Sequence, residues 1–139
     1  MHIHDFIKNH VVNNRPILHA MRPTICETLY QTHLVSMKNH HHAYIMNKFF
    51  DHSNQKHRFV LNEFPYRFES HTIHYMLWIN PMYSNQYHPG RKLPDDIDKY
   101  IFDIIENPSN LVDSYLIFEN TRDNRTIKNI KHFHIIFYN

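Results

Sequence analysis

The 139-residue sequence has one cysteine and one glycine, no balance of charge strong enough to set a field, and no long apolar run. Each shortage excludes something. A lone Cys26 permits neither an internal disulfide nor a cysteine-based zinc knuckle, which fits a reducing compartment. A lone Gly90 leaves no room for a P-loop or a dinucleotide-binding fingerprint, both of which need several glycines where backbone must approach phosphate. With 15 Lys and Arg against 13 Asp and Glu, nucleic acid and membrane surfaces are not the expected partners. No apolar stretch reaches the roughly 18 residues of a membrane span, and His2, His4 and Asp5 interrupt any hydrophobic leader. The expectation is a soluble, cytoplasmic protein.

What is abundant is histidine, 15 in all, with Asn, Ile, Lys, Tyr and Phe. That bias looks like an AT-rich genome acting on codon choice, so part of the histidine content needs no functional explanation. With 42% apolar or aromatic residues the chain can bury one core. One domain is expected, with residues 1–56 as a helical or irregular extension packed on a core of residues 57–139.

Pro16 and Pro23 close off any long helix in the first 23 residues. "TICETLYQTHLVSMKN" reads as a helix capped by Thr24 with Glu27 three residues on, its Ile25, Leu29 and Met37 near one face. "HAYIMNKFFD" reads as a second, with Tyr44, Ile45, Lys48 and Phe49 at helical spacing. A short strand, "RFVLNEF", ends at Pro65, which cannot continue a central ladder. In "HTIHYMLWI", residues 71–79, both alternating faces are largely apolar, which predicts a central strand.

"NPMYSNQYHPGRKLP" is a loop by composition. "DDIDKYIFDIIEN" is the clearest helix: Ile97, Ile101, Ile104 and Ile105 form one stripe, and the early acids suit a helix N-terminus. Two strands follow, "DSYLIFEN" and the terminal "HFHIIFY". The order from residue 57, strand, strand, helix, strand, strand, predicts an α+β fold: an antiparallel sheet with helices packed against one face.

The terminal strand poses the functional question. His132 and His134 are two apart, so both imidazoles project from one face. The segment before them supplies Asn120, the Thr126 hydroxyl, and the cations Arg122, Arg125, Lys128 and Lys131. A histidine nucleophile at phosphorus needs a fixed tautomer, donors to the phosphoryl oxygens and a route for the leaving atom. These residue types supply such help, although the cations also read as a solvated turn. Upstream, Asn62 and Pro65 in "LNEFPY" sit where a strand ends, a place from which ligands are often held. His74 shares a strand face with Met76 and Trp78, which also suits a hydrogen-bonded core histidine.

Two other classes remain open. A metal would take His132 and His134 with His71 or His74 from a neighbouring strand. His40, His41 and His42 fan out by about 100° each on a helix and do not share an ion. A non-enzymatic interaction module would display Tyr66, Tyr83 and Tyr87 at the surface.

"NEFPY", "HYMLWIN", a helix, an Asn-bearing strand and "HFH" together resemble the poorly characterised family that includes N-acetylglucosamine-induced protein 1. Over residues 57–139 the same skeleton is similar to the histidine-triad (HIT) superfamily, in which an N-x-F-P element precedes an H-x-H-x-H run. The resemblance implies a HIT-like fold and a phosphoryl or nucleotidyl hydrolase or transferase acting on a nucleotide or sugar phosphate. It implies His134 as nucleophile and His132 as the first triad histidine. Asn62, Pro65, His74, Asn120 and Thr126 would bind substrate, with no cofactor and a possible homodimer. Two positions depart from the pattern: the third triad position is Ile136, and Thr126 lies further from the pair than its counterpart. The departure at Ile136 leaves open binding of a nucleotide or sugar phosphate without turnover.

Overall fold

The computed structural model describes residues 2–12, 28–29, 31–33, 41–50, 55–86, 95–119 and 130–139. A four-stranded antiparallel sheet organises them. Its strands are β1 (His57–Leu61), β2 (Thr72–Ile79), β3 (Ser114–Phe118) and β4 (His132–Tyr138), in the order β1-β2-β4-β3. The expected α+β class and the central position of β2 both hold.

Alternation along the strands gives the sheet two faces. Opposite residues in an antiparallel ladder share a face, so the register Trp78↔His132, Met76↔His134 and His74↔Ile136 aligns six side chains of β2 and β4. Phe118 of β3 stands opposite His134 and joins them. The other face carries Leu77, Ile79, Phe133, Ile135 and Phe137.

α3 (Asp95–Glu106) covers this second face with Ile97 and Ile101, both buried, and with the flanks of Ile104 and Ile105. Burying each isoleucine contributes about 1.5–3 kcal/mol. Asp95, Asp96 and Asp98 occupy the helix's first turn, where carboxylates oppose the positive end of the dipole. Tyr100 stacks on Phe59 of β1 with centroids 5.6 Å apart, and Phe59 stacks in turn on Tyr75 at 4.7 Å. Three parallel rings thus pin the helix to the sheet's outer strand.

The histidine-bearing face is covered as well. α1 (Ile3–Phe6) buries Ile3 and Phe6 against Tyr66, Phe68, Phe118 and Ile136. α2 (His41–Phe50) buries Ile45 and Phe50 with Met76, Trp78 and Ile130. The expectation of helices on one face is therefore corrected: they lie on both. The cause is visible in β2, whose two faces are largely apolar, and in β4, whose residues from His132 to Phe137 are all buried. A strand apolar on both sides needs a layer on each.

Smaller differences have local causes. Pro81–Gln86, expected as loop, is a 3-10 helix. Buried Asn80 organises it, accepting from the Met82 amide through Oδ1 at 3.2 Å and donating through Nδ2 to the Gln55 carbonyl at 3.1 Å. Residues 7–12 wind as a π-helix where an irregular arm or short helix was expected. Of the helix expected from Thr24, residues 28–29 and 31–33 are helical, with Leu29 exposed; Thr24, Ile25, Glu27 and Met37 lie outside the described residues. Among the described residues no helix is long and apolar enough to cross a membrane.

Candidate functional site: three buried histidines on one sheet face

β1 ends at Leu61, and the next residue folds the chain back. The Asn62 amide still donates to the His74 carbonyl at 2.9 Å, continuing the ladder by one rung, while its side-chain Oδ1 accepts from the Phe64 amide at 2.9 Å. That side-chain-closed turn is the conformation asparagine favours. Pro65, exposed and without an N–H of its own, precedes Tyr66. The turn thereby aims the Tyr66 amide at His74 Nδ1, 3.1 Å away. An ion pair between Glu63 and Lys48 ties the same turn to α2. Burial works against the Lys48 charge, but the Glu63 carboxylate outweighs it, with help from the Tyr44 hydroxyl, and raises the ammonium above its ordinary range.

From His74 the network runs across strands: its Nε2 lies 2.8 Å from His134 Nδ1. His74, His132 and His134 are 2%, 7% and 4% exposed, so an unpaired ring nitrogen would cost about 1–3 kcal/mol. Their donor and acceptor roles follow from the backbone. An amide can only donate, so His74 Nδ1 accepts and its proton sits on Nε2. That proton points at His134 Nδ1, which must accept, placing the His134 proton on Nε2. His132 Nδ1 faces the Ile130 carbonyl at 2.7 Å. A carbonyl can only accept, so this nitrogen carries the proton and neutral His132 keeps its lone pair on Nε2. The two histidines of "HFH" are thus opposite tautomers.

Aromatic rings hold the imidazoles in plane. His134 stacks on Phe118 at 5.0 Å and on Tyr66 at 5.4 Å, and His132 stacks on Trp78 at 4.6 Å, itself stacked on Phe49 of α2 at 5.8 Å. The His132 and His134 ring centroids are 6.1 Å apart.

The expected site residues divide cleanly. His132, His134, His74 and Asn62 come together, with the Asn62 amide nitrogen 3.5 and 3.4 Å from the two His74 ring nitrogens. Pro65 lies on the adjoining turn. His71 does not join them: it is exposed, and its Nε2 donates to the Asn110 carbonyl at 2.8 Å beside the turn after α3. Lys131 lies over Phe133, on the opposite face. Asn120, Thr126, Arg122, Arg125 and Lys128 lie outside the described residues. Among the described residues no group of three or more His, Cys, Asp or Glu is arranged to hold a metal ion. For the interaction-module alternative, Tyr66 is buried, which removes one of its three expected surface aromatics; Tyr83 is half-buried, and Tyr87 lies outside the described residues.

Sequence reasoning missed the His74–His134 bond and the ring contacts of Tyr66, Phe118 and Trp78. The partners in that bond are 60 residues apart, and only the β2–β4 register brings them together. The available signal was the even spacing His74, Met76, Trp78, which marks one face.

The family described as "Protein of unknown function (DUF3605)" matches residues 3–138. The chain belongs to this family. No curated protein matches it. The crystal structure of HTC1 is similar in fold, with a TM-score of 0.58 at 15% sequence identity over 99% of this chain and 83% of HTC1.

Proposed function

We propose that this DUF3605 member binds a phosphate ester, a nucleotide or a phosphorylated sugar, at the histidine-bearing sheet face. The observation that carries the proposal is the pair His132 and His134, side by side on one sheet face, whose Nδ1 partners assign them opposite tautomers. A lone pair on one Nε2 and a proton on the other are the two groups a phosphoryl centre engages, an attacking atom and a donor to its oxygens. The histidine-triad likeness, and with it the likeness to the family of N-acetylglucosamine-induced protein 1, belongs to the same proposal. In its support, His74 stands directly opposite Ile136, where the H-x-H-x-H run lacks its third histidine, and bonds to the middle one.

In the enzymatic form of the proposal an unprotonated imidazole nitrogen attacks phosphorus. An N–P bond to the imidazole forms while the bond from phosphorus to the leaving group breaks, P–N in a phosphoramidate and P–O in a polyphosphate or nucleotide sugar, and the leaving atom departs with the electron pair and takes a proton from solvent. Water then displaces the imidazole and gives its proton to solvent. Turnover of nucleoside phosphoramidates, dinucleoside polyphosphates and nucleotide sugars, read by mass spectrometry, tests this. Turnover abolished in both His132→Ala and His134→Ala but retained with chelator is the expected result. Loss with chelator would instead favour the metal-dependent alternative, and no turnover or binding in any sample would reject the proposal.

A second reading, a non-enzymatic histidine network that braces the core, is favoured by the near-complete burial of all three rings. It predicts loss of stability in the histidine variants and no ligand from the panel.

A further inference from the structure

His74 is the residue of this cluster whose role a strand-by-strand reading treats as core packing. Its two bonds give it another. Nδ1 faces a backbone amide, and Nε2 faces His134 Nδ1. The Tyr66 N–H cannot reverse its polarity, whereas an imidazole has two neutral forms of similar energy in water. Fixing one nitrogen of His74 by an amide therefore fixes the other, and with it the next ring in the chain.

We propose that His74 is a positioning residue that sets the tautomer of His134, making His134 a hydrogen-bond donor at Nε2 and leaving His132 as the histidine with an Nε2 lone pair. Three observations join in this. The Asn62 turn fixes where the Tyr66 amide points. The β2–β4 register puts His74 and His134 within 2.8 Å. The Ile130 carbonyl gives His132 the reverse tautomer independently of the other two.

Applied to the phosphate-ester reading, on which this last step rests, the roles expected from the H-x-H pattern exchange. His132 becomes the nitrogen that attacks phosphorus, and His134 the donor that holds a phosphoryl oxygen. His74 touches neither ligand nor reacting atom; it acts through His134. A second-sphere contact of this kind is how proteins ordinarily fix which imidazole nitrogen carries the proton.

The test is long-range proton–nitrogen correlation NMR on the full chain labelled with 15N-histidine. The expected wild-type spectrum has His134 protonated on Nε2 and bare on Nδ1, with His132 the reverse. In His74→Phe, which keeps a ring but removes the donor, the His134 nitrogens should move to intermediate shifts as both tautomers become populated. In His74→Gln, whose amide can donate to His134 Nδ1, the wild-type pattern should return.

A His134 proton on Nδ1 in the wild type would overturn the proposal, as would an unchanged His134 pattern in a folded His74→Phe. If His74→Phe does not fold, the wild-type spectrum and the His74→Gln variant still decide. Failure of the phosphate-ester reading shows separately, as absence of binding or turnover in a protein whose tautomers are those expected.

Discussion

At the residue scale, the energetics centre on polar atoms that burial makes expensive. His74 satisfies two of them, the Tyr66 amide and His134 Nδ1. Replacing it with Phe removes that partner from each, so the variant should lose roughly 2–6 kcal/mol, about 1–3 for each group. Urea denaturation measures this, and a loss below about 1 kcal/mol would contradict the bonding described. Phe6 tests apolar cover instead. Fully buried, with its ring 5.2–5.9 Å from those of Tyr66, Phe68 and Phe118, it should cost about 3–5 kcal/mol on truncation to Ala.

His57 supplies a pH dependence. Burial holds its imidazole below the ordinary value of 6.5, and the Asp96 carboxylate 2.8 Å away, which pulls the other way, does not fully offset it. The unfolded chain therefore takes up a proton at His57 before the folded chain does. This group's contribution to stability is present above about pH 6.5 and is lost as pH falls through that value toward the lowered folded pKa. Denaturation midpoints at about pH 7 and about pH 5.5 should differ less in His57→Gln than in wild type. They should differ more in Asp96→Asn, where the opposing pull is gone. Equal pH sensitivity in all three would rule the linkage out.

At the element scale, the strands were the most legible part of the chain. "HFHIIFY" is β4 residue for residue, and "DDIDKYIFDIIEN" differs from α3 by one residue at its end. Both carry a periodicity that survives tertiary context. The turns were less legible because their geometry depends on partners elsewhere. Asn80 builds a 3-10 helix only with Gln55 to bond to, and the Asn62 turn matters only because His74 lies opposite.

The link from α3 to β3 holds a further prediction. Leu111, two-thirds exposed, adopts φ 55°, ψ 39° to cap the short 3-10 helix Pro108–Asn110. The left-handed conformation costs an L-residue with a Cβ about 1–2 kcal/mol. Glycine avoids that cost but gives back about 0.4–1 kcal/mol through the freer unfolded chain. Leu111→Gly should therefore stabilise by up to about 1.6 kcal/mol, visible as a raised urea midpoint. A lowered midpoint would mean that the Leu111 side chain contributes more than its exposure suggests.

At the scale of the whole molecule, the sheet's two faces divide the work. One packs α3 and is wholly apolar at its centre; the other carries three imidazoles in a frame of aromatic rings beneath α1 and α2. Which residues share the histidine face was readable from two-residue spacing in "HFH" and in "HYMLW". That His74 would meet His134 was not, because no local rule relates positions 60 apart until the register is known. The double cover was implicit in the apolar character of both β2 faces, yet nothing local said that α1 and α2 would lie on the histidine-bearing one.

The most direct test of a phosphate-ester site follows the imidazoles themselves. With 15N-histidine-labelled protein, the panel of phosphoramidates, dinucleoside polyphosphates and nucleotide sugars is added while the ring nitrogens are observed. At least one compound should shift the His132 and His134 signals together, with the Nε2 nitrogens moving most. Ring-nitrogen signals unmoved by every compound at millimolar concentration would contradict a phosphate-ester site and leave the three histidines as a brace in the core.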